Sequence, residues 1–175
     1  MAIMLRTATA GDVPALIPLM DAAIRRLQRG YLTDAQIEAS TAVMGLDRQL
    51  VADGTYYVVE DDGALAGCGG WSRRATLYGG DHSAGRDAAL LDPAVHPARV
   101  RAMYTHPDFT RRGVGRLVLA ACETAAAAEG FTALELVATR AGRPLYEAAG
   151  FVVVEEIEDA SGGAPVPLTR MRKEL

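Results

Sequence analysis

Two cysteines and three histidines are all the thiol and imidazole metal ligands that 175 residues contain, and they show no metal-ligand spacing. No metal is expected. Cys68 and Cys122 lie far apart in apolar stretches, which predicts two buried free thiols rather than a disulfide. Positive charge is also short: 18 Lys and Arg stand against 22 Asp and Glu, a formal net charge of −4. That balance argues against the basic surface that a nucleic-acid backbone requires. No apolar run approaches the ~20 residues of a membrane-spanning helix. The opening Met-Ala-Ile-Met-Leu-Arg-Thr has no basic segment followed by a long apolar stretch, so no export leader is expected. Repeats and low-complexity tracts are missing as well.

What is present is ordinary for a globular chain: 50% hydrophobic and 23% charged residues. The length predicts one domain, residues 1–175, with a sizeable core. The default expectation is a cytoplasmic protein with no membrane or nucleic-acid partner. Local arginine clusters, Arg73/Arg74 and Arg111/Arg112/Arg116, suit a small anionic ligand better.

Residue patterning predicts a β, α, α, β, β, β, α, β, α, β, β order. Ile3–Thr7 is a strand. Thr9 and Asp12 start a helix whose apolar positions Val13, Leu16, Ile17, Met20, Ile24 and Leu27 share a face; Pro18 should bend it or shift its start, and Gly30 stops it. Thr33-Asp-Ala-Gln36 has the capping-box form of a second helix, and a third covers Asp47–Ala52. Tyr56–Glu60 and Ala64–Trp71 flank the hairpin signal Asp61-Asp62-Gly63. Residues 72–97 form a long aperiodic connection. Strands Arg99–Thr105 and Ala133–Ala138 enclose the alanine-rich helix Leu117–Glu129; a short helix Arg143–Ala149 and strands Phe151–Glu158 and Val166–Arg172 close the chain. This is an α/β fold, a single domain with a mixed central sheet of about seven strands and helices on both faces.

The most informative stretch is 103–116, Met-Tyr-Thr-His-Pro-Asp-Phe-Thr-Arg-Arg-Gly-Val-Gly-Arg. It passes from strand through a glycine turn into a helix, and so offers bare backbone N–H groups to a phosphate or pyrophosphate. A P-loop is excluded, because Arg116-Leu117 stands where Lys-Ser/Thr is needed. A dinucleotide fingerprint is weakened by the missing third glycine. A simple tight turn remains the bland alternative.

Two motifs together identify a resemblance. Thr110-Arg-Arg-Gly113-Val-Gly115 resembles the Gln/Arg-x-x-Gly-x-Gly/Ala turn of the GNAT superfamily, the acyl-coenzyme-A-dependent N-acyltransferases. Pro144-Leu-Tyr146-Glu-Ala-Ala-Gly150-Phe151 is similar to that family's Tyr-Glu-x-x-Gly-Phe ending, one helix and one strand later. Thr110 and Thr139 depart from the family's usual Gln/Arg and Asn. The resemblance covers nearly the whole chain. It implies the acyl-CoA N-acyltransferase fold, its sheet splayed into a V by a bulge in the central strand, and acetyl-CoA as cosubstrate.

By that resemblance Met103, Tyr104 and Thr105 hold the pantetheine arm through their backbone, with Thr139 across the slot. Arg111, Arg112, Gly113, Val114, Gly115 and Arg116 hold the pyrophosphate. A primary amine, on a small molecule or a peptide, attacks the thioester directly; a backbone N–H near Tyr104 steadies the oxyanion, and Tyr146 protonates the leaving thiolate. For the base, the residues leave Asp81-His82, Asp34, Glu38 or a chain of waters open. Tyr31, Trp71 and Tyr78 are aromatic candidates for the acceptor pocket, with Asp81 and His82 beside them; the bland reading of Trp71 is a core anchor. A homodimer through the apolar Phe151–Val154 run is consistent with the family. A non-catalytic acyl-CoA-binding sensor is the alternative function, against which Tyr146 argues.

Overall fold

The computed structural model describes residues 2–175. Seven strands form one mixed sheet in the order β1-β2-β3-β4-β5-β7-β6: β1 Ile3–Thr7, β2 Tyr56–Asp61, β3 Ala64–Ser72, β4 Ala98–Thr105, β5 Ala133–Ala138, β6 Val152–Asp159 and β7 Val166–Glu174. Every neighbouring pair is antiparallel except β4 and β5, which run parallel and are joined across one face by α4 (Val114–Ala128). Helices α1 (Val13–Leu27), α2 (Asp34–Ser40) and α3 (Arg48–Ala52) precede β2, and α5 (Arg143–Ala148) follows β5. The expected α/β class, element order and strand number are all observed.

The core divides by face. On the α4 side, Val118, Leu119, Leu134, Leu136 and Trp71 pack together, and Trp71 meets Phe131 edge to face at 6.0 Å. On the α1 side, Leu16, Met20, Ile24, Tyr56 and Val58 form a second cluster. The cysteines sit one in each, both free, and burial pushes the Cys68 thiol up to about 12. Among the described residues no helix is long and apolar enough to cross a membrane, and no His, Cys, Asp or Glu cluster could hold a metal ion.

Local signals translate into geometry with some shifts. The Thr33 hydroxyl accepts the Gln36 N–H at 3.2 Å, and the Gln36 side chain accepts the Thr33 N–H at 2.9 Å, completing the capping box. Helix α1 runs on through Pro18, which is solvent-exposed, so the carbonyl its missing N–H leaves free can be hydrated. A 3-10 turn, Ala10–Asp12, precedes it. Ile17, expected on the buried face, is instead exposed, and Leu19 and Ala23 are buried. The other expected positions are buried or half-buried, so the stripe is centred on Leu16, Met20 and Ile24 and Ile17 falls just outside its edge.

The decisive feature lies in β4. Ala102 and Met103 stand opposite the single residue Gly69 of β3, a bulge in which Ala102 takes φ +50°. The Tyr56 hydroxyl donates to the Ala102 carbonyl at 2.6 Å and braces it. A Cβ at position 69 would lie 2.3 Å from the Met103 sulfur and 2.9 Å from a Val118 methyl, so a larger residue there would force both side chains to shift. Pairing of β4 with β5 is confined to Ala98↔Leu134 and Arg99↔Glu135. Beyond those residues the strands part, and the expected V opens between them.

One buried ion network pins the long connection to this strand. Arg101, 3% exposed, donates to the Asp47 carboxylate at 2.8 Å and to the carbonyls of Thr76 and Gly79. Arg86 donates to the same carboxylate at 3.0 Å. Asp47 also caps α3 by accepting the Gln49 N–H. Truncating Asp47 would strand a buried guanidinium. We expect Asp47→Ala to lower the unfolding free energy by about 3–5 kcal/mol in urea titrations. Arg86→Ala, which keeps the Asp47–Arg101 pair, should cost well under half of that.

Candidate active site

The opening between β4 and β5 is a slot of about 110 Å³ lined by residues of both core clusters, Tyr146 from one and Met44 and Tyr104 from the other. Its wall on the α5 side is made by Thr139, Gly142 and Tyr146. On the α2 side it is made by Val43, Met44, Leu77 and Tyr78. Arg101, Met103 and Tyr104 come from β4 itself. Past Arg99, the backbone groups of β4 that face β5 have lost their partner strand.

At one end of the slot lies the glycine turn. Helix α4 begins at Val114, three residues before the position the sequence suggests, so Val114, Gly115 and Arg116 form its first turn. Gly113 is the N-cap at φ +79°, and Arg111 precedes it at φ +61°. Two left-handed residues around a helix N-terminus turn several N–H groups toward one point, an anion-binding concavity. The two glycines serve different ends. Gly113 supplies the left-handed φ, with open space where a side chain would be. Gly115 is small because Leu145 of α5 would lie 2.8 Å from its Cβ.

The three arginines here are not equivalent. Arg112 is tied to the buried Asp61 at 3.1 Å and lies over the Phe109 ring at 5.2 Å. Arg111 and Arg116 are exposed and enter no ion pair among the described residues. They remain available to an anion in the turn. Asp61 is a residue that motif reading missed; its position next to a turn signal disguises it.

Tyr146 is 7% exposed, packs edge to face on Phe151 at 5.9 Å and lines the slot. Burial, then the neighbouring Cys122 and Tyr104, pushes its phenol pKa well above the ordinary value. It therefore stays protonated across the neutral and mildly alkaline range. The Thr139 hydroxyl accepts the Gly142 N–H at 3.1 Å, fixing the turn into α5 while its own proton remains free for another acceptor.

Four residues expected at the acceptor pocket lie elsewhere. Trp71 is a core anchor, 1% exposed, on the α4 face. Tyr31 is 52% exposed and does not line the slot. Asp81 accepts the Arg48 backbone N–H at 2.9 Å and its guanidinium at 2.7 Å. His82 places Nε2 2.8 Å from the Thr41 carbonyl, with its ring against Gly45. The Asp81-His82 pair thus fastens the long connection to the segment between α2 and α3. Glu38, another base candidate, is paired with Arg25 at 2.7 Å, and Asp34 is an exposed residue in the first turn of α2. The long connection does reach the slot, but through Leu77, Tyr78 and Gly79.

Comparison with known proteins agrees with this geometry. Residues 52–153 match the family model described as an acetyltransferase (GNAT) domain. No curated protein sequence gives a significant match. Among solved structures, a GCN5-related N-acetyltransferase from Rhodopseudomonas palustris superposes with a TM-score of 0.75 at 22% identity, covering 100% of this chain and 97% of that one. The PaiA N-acetyltransferase of Thermoplasma acidophilum, solved with coenzyme A, gives 0.69 at 16% identity, with 100% of both chains covered. YncA of Salmonella typhimurium, a putative acetyltransferase solved with acetyl-CoA, gives 0.64 at 20%, covering 100% and 95%. At these identities the likeness is one of fold.

The two glycines yield separable outcomes. Gly113→Ala should cost about 1–2 kcal/mol through the left-handed φ alone. Gly115→Ala acts through Leu145, so thermal unfolding of the Gly115→Ala/Leu145→Ala pair should reveal a favourable coupling of at least about 0.5 kcal/mol.

Proposed function

This chain belongs to the GNAT acetyltransferase family, and we propose that it transfers acetyl from acetyl-CoA to a primary amine by direct attack, with Tyr146 as the general acid. The observation that carries this reading is the placement of a buried, protonated phenol on the wall of the slot opened between β4 and β5. The residues present fit the cosubstrate. A concavity of backbone N–H groups with Arg111 and Arg116 beside it suits a pyrophosphate. The unpaired edge of β4 around Met103–Thr105 suits the amides of a pantetheine arm, and the Thr139 hydroxyl stands across from it.

Acetyl-CoA brings an activated carbonyl with a thiol leaving group. The chain's own part is positioning and proton supply. The bulge holds β4 away from β5, leaving backbone donors near Tyr104 for the developing oxyanion. As the amine nitrogen bonds to the carbonyl carbon and the C–S bond breaks, Tyr146 gives its phenolic proton to the sulfur. The proton released from nitrogen then restores the phenol through solvent. Because burial raises this phenol, its proton is present at neutral pH when the C–S bond breaks.

Tyr146→Phe tests the assignment. It should reduce kcat by about 10²- to 10⁴-fold while leaving acetyl-CoA affinity intact. Unchanged turnover would remove Tyr146 from the chemistry. The sign of the pH dependence follows from the raised phenol: with wild-type protein, kcat/KM should climb as the amine loses its proton and then hold level up to about pH 10, with no alkaline fall from Tyr146 in that range.

A further inference from the structure

We infer that the acceptor is a weakly basic primary amine on an apolar body, of the strength of a peptide α-amine, rather than an alkylamine of lysine strength or a polyamine. This rests on the acetyl-transfer reading of the same slot. The inference comes from what the slot presents to an incoming amine. Its titratable and charged lining consists of Arg101, Tyr78, Tyr104 and Tyr146. Arg101 carries the sole formal charge among these, and its buried guanidinium is held by Asp47 and the carbonyls of Thr76 and Gly79.

Arg101 is not neutralised one for one. Asp47 serves Arg86 as well, so two guanidiniums share one carboxylate behind the wall of the slot. An ammonium group entering the slot meets a mostly apolar space with no carboxylate on its lining to pair with. The three phenols offer no relief. Tyr78 donates to the Asp159 carboxylate at 2.9 Å, which in turn accepts from Ser161. Tyr104 accepts the Gly45 N–H at 2.9 Å. Burial holds all three phenols protonated at neutral pH, so none is a ready proton acceptor.

An amine must then arrive with its lone pair already free. At pH 7 an α-amine with a pKa near 8 is about 10% free base, whereas an amine of lysine strength is about 0.04%. The apolar wall formed by Val43, Met44, Leu77 and Leu168 suits a hydrophobic body beside that nitrogen.

The test compares phenylalanine amide with 2-phenylethylamine, which have the same apolar body but differ in amine strength, and adds spermidine as a polycation. Coenzyme A release is followed from pH 7 to pH 10, with acetyl-CoA binding measured separately by calorimetry. At pH 7, kcat/KM for phenylalanine amide should exceed that for 2-phenylethylamine by about 10²-fold, the gap narrowing steadily toward pH 10 as the stronger base deprotonates. Spermidine should be the poorest of the three at pH 7. Equal or better use of 2-phenylethylamine or spermidine at pH 7 overturns the inference and leaves acetyl transfer standing. Acetyl-CoA binding without turnover of phenylalanine amide also counts against it. Failure of the underlying reading shows separately, as no thiol release with any amine, whether or not acetyl-CoA binds.

Discussion

The hydrogen bond from the Tyr56 hydroxyl to the Ala102 carbonyl is small, yet the site depends on the backbone shape it braces. A parallel pair such as β4 and β5 normally zips along its length. Here two residues of β4 oppose one of β3, the strand turns aside, and pairing with β5 stops after Arg99. A left-handed Ala102 is unfavourable alone and persists because its surroundings overdetermine it. Glycine at 69 gives Met103 room, and the Tyr56 hydroxyl donates a hydrogen bond to the Ala102 carbonyl. Remove the bulge and the slot closes into ordinary sheet.

The second constraint is electrostatic. Asp47 draws together the cap of α3, the middle of β4 and the long connection through Arg101 and Arg86. Because those segments are far apart in the chain, the network converts an aperiodic stretch into a wall with a defined position. The same connection is fastened twice more, by Asp81 to Arg48 and by Arg74 to Asp53. The Arg74 guanidinium beside Asp53 holds that carboxyl below its ordinary value.

Local signals were legible wherever the physics is local. The capping box at Thr33, the hairpin at Asp61–Gly63 and the glycine turn at Gly113 all follow from neighbours within a few residues. Tyr146 was legible through its motif, and it lies on the slot. What could not be read depends on distant partners. Nothing near Arg101 announces that its carboxylate is Asp47, 54 residues away. Nothing near His82 announces Thr41. Trp71 could face either side of the sheet until strand register is known, since alternation fixes parity but not direction. Ile17 was assigned to the buried face for a related reason: it lies at the margin of the apolar stripe, and which margin is covered depends on the sheet packed against it.

The contact between Gly115 and Leu145 joins the first turn of α4 to α5, the helix that carries Tyr146. Those two parts cannot drift independently: a change that moves one pushes on the other. The opposite wall, made of Val43, Met44, Leu77 and Tyr78, comes from connecting segments. A fold divided this way has a conservative half and an adaptable half. New acceptor preferences can be acquired by substitution or insertion in the 41–47 and 76–80 segments without disturbing the machinery across the slot, and evolutionary change in this protein should be concentrated there.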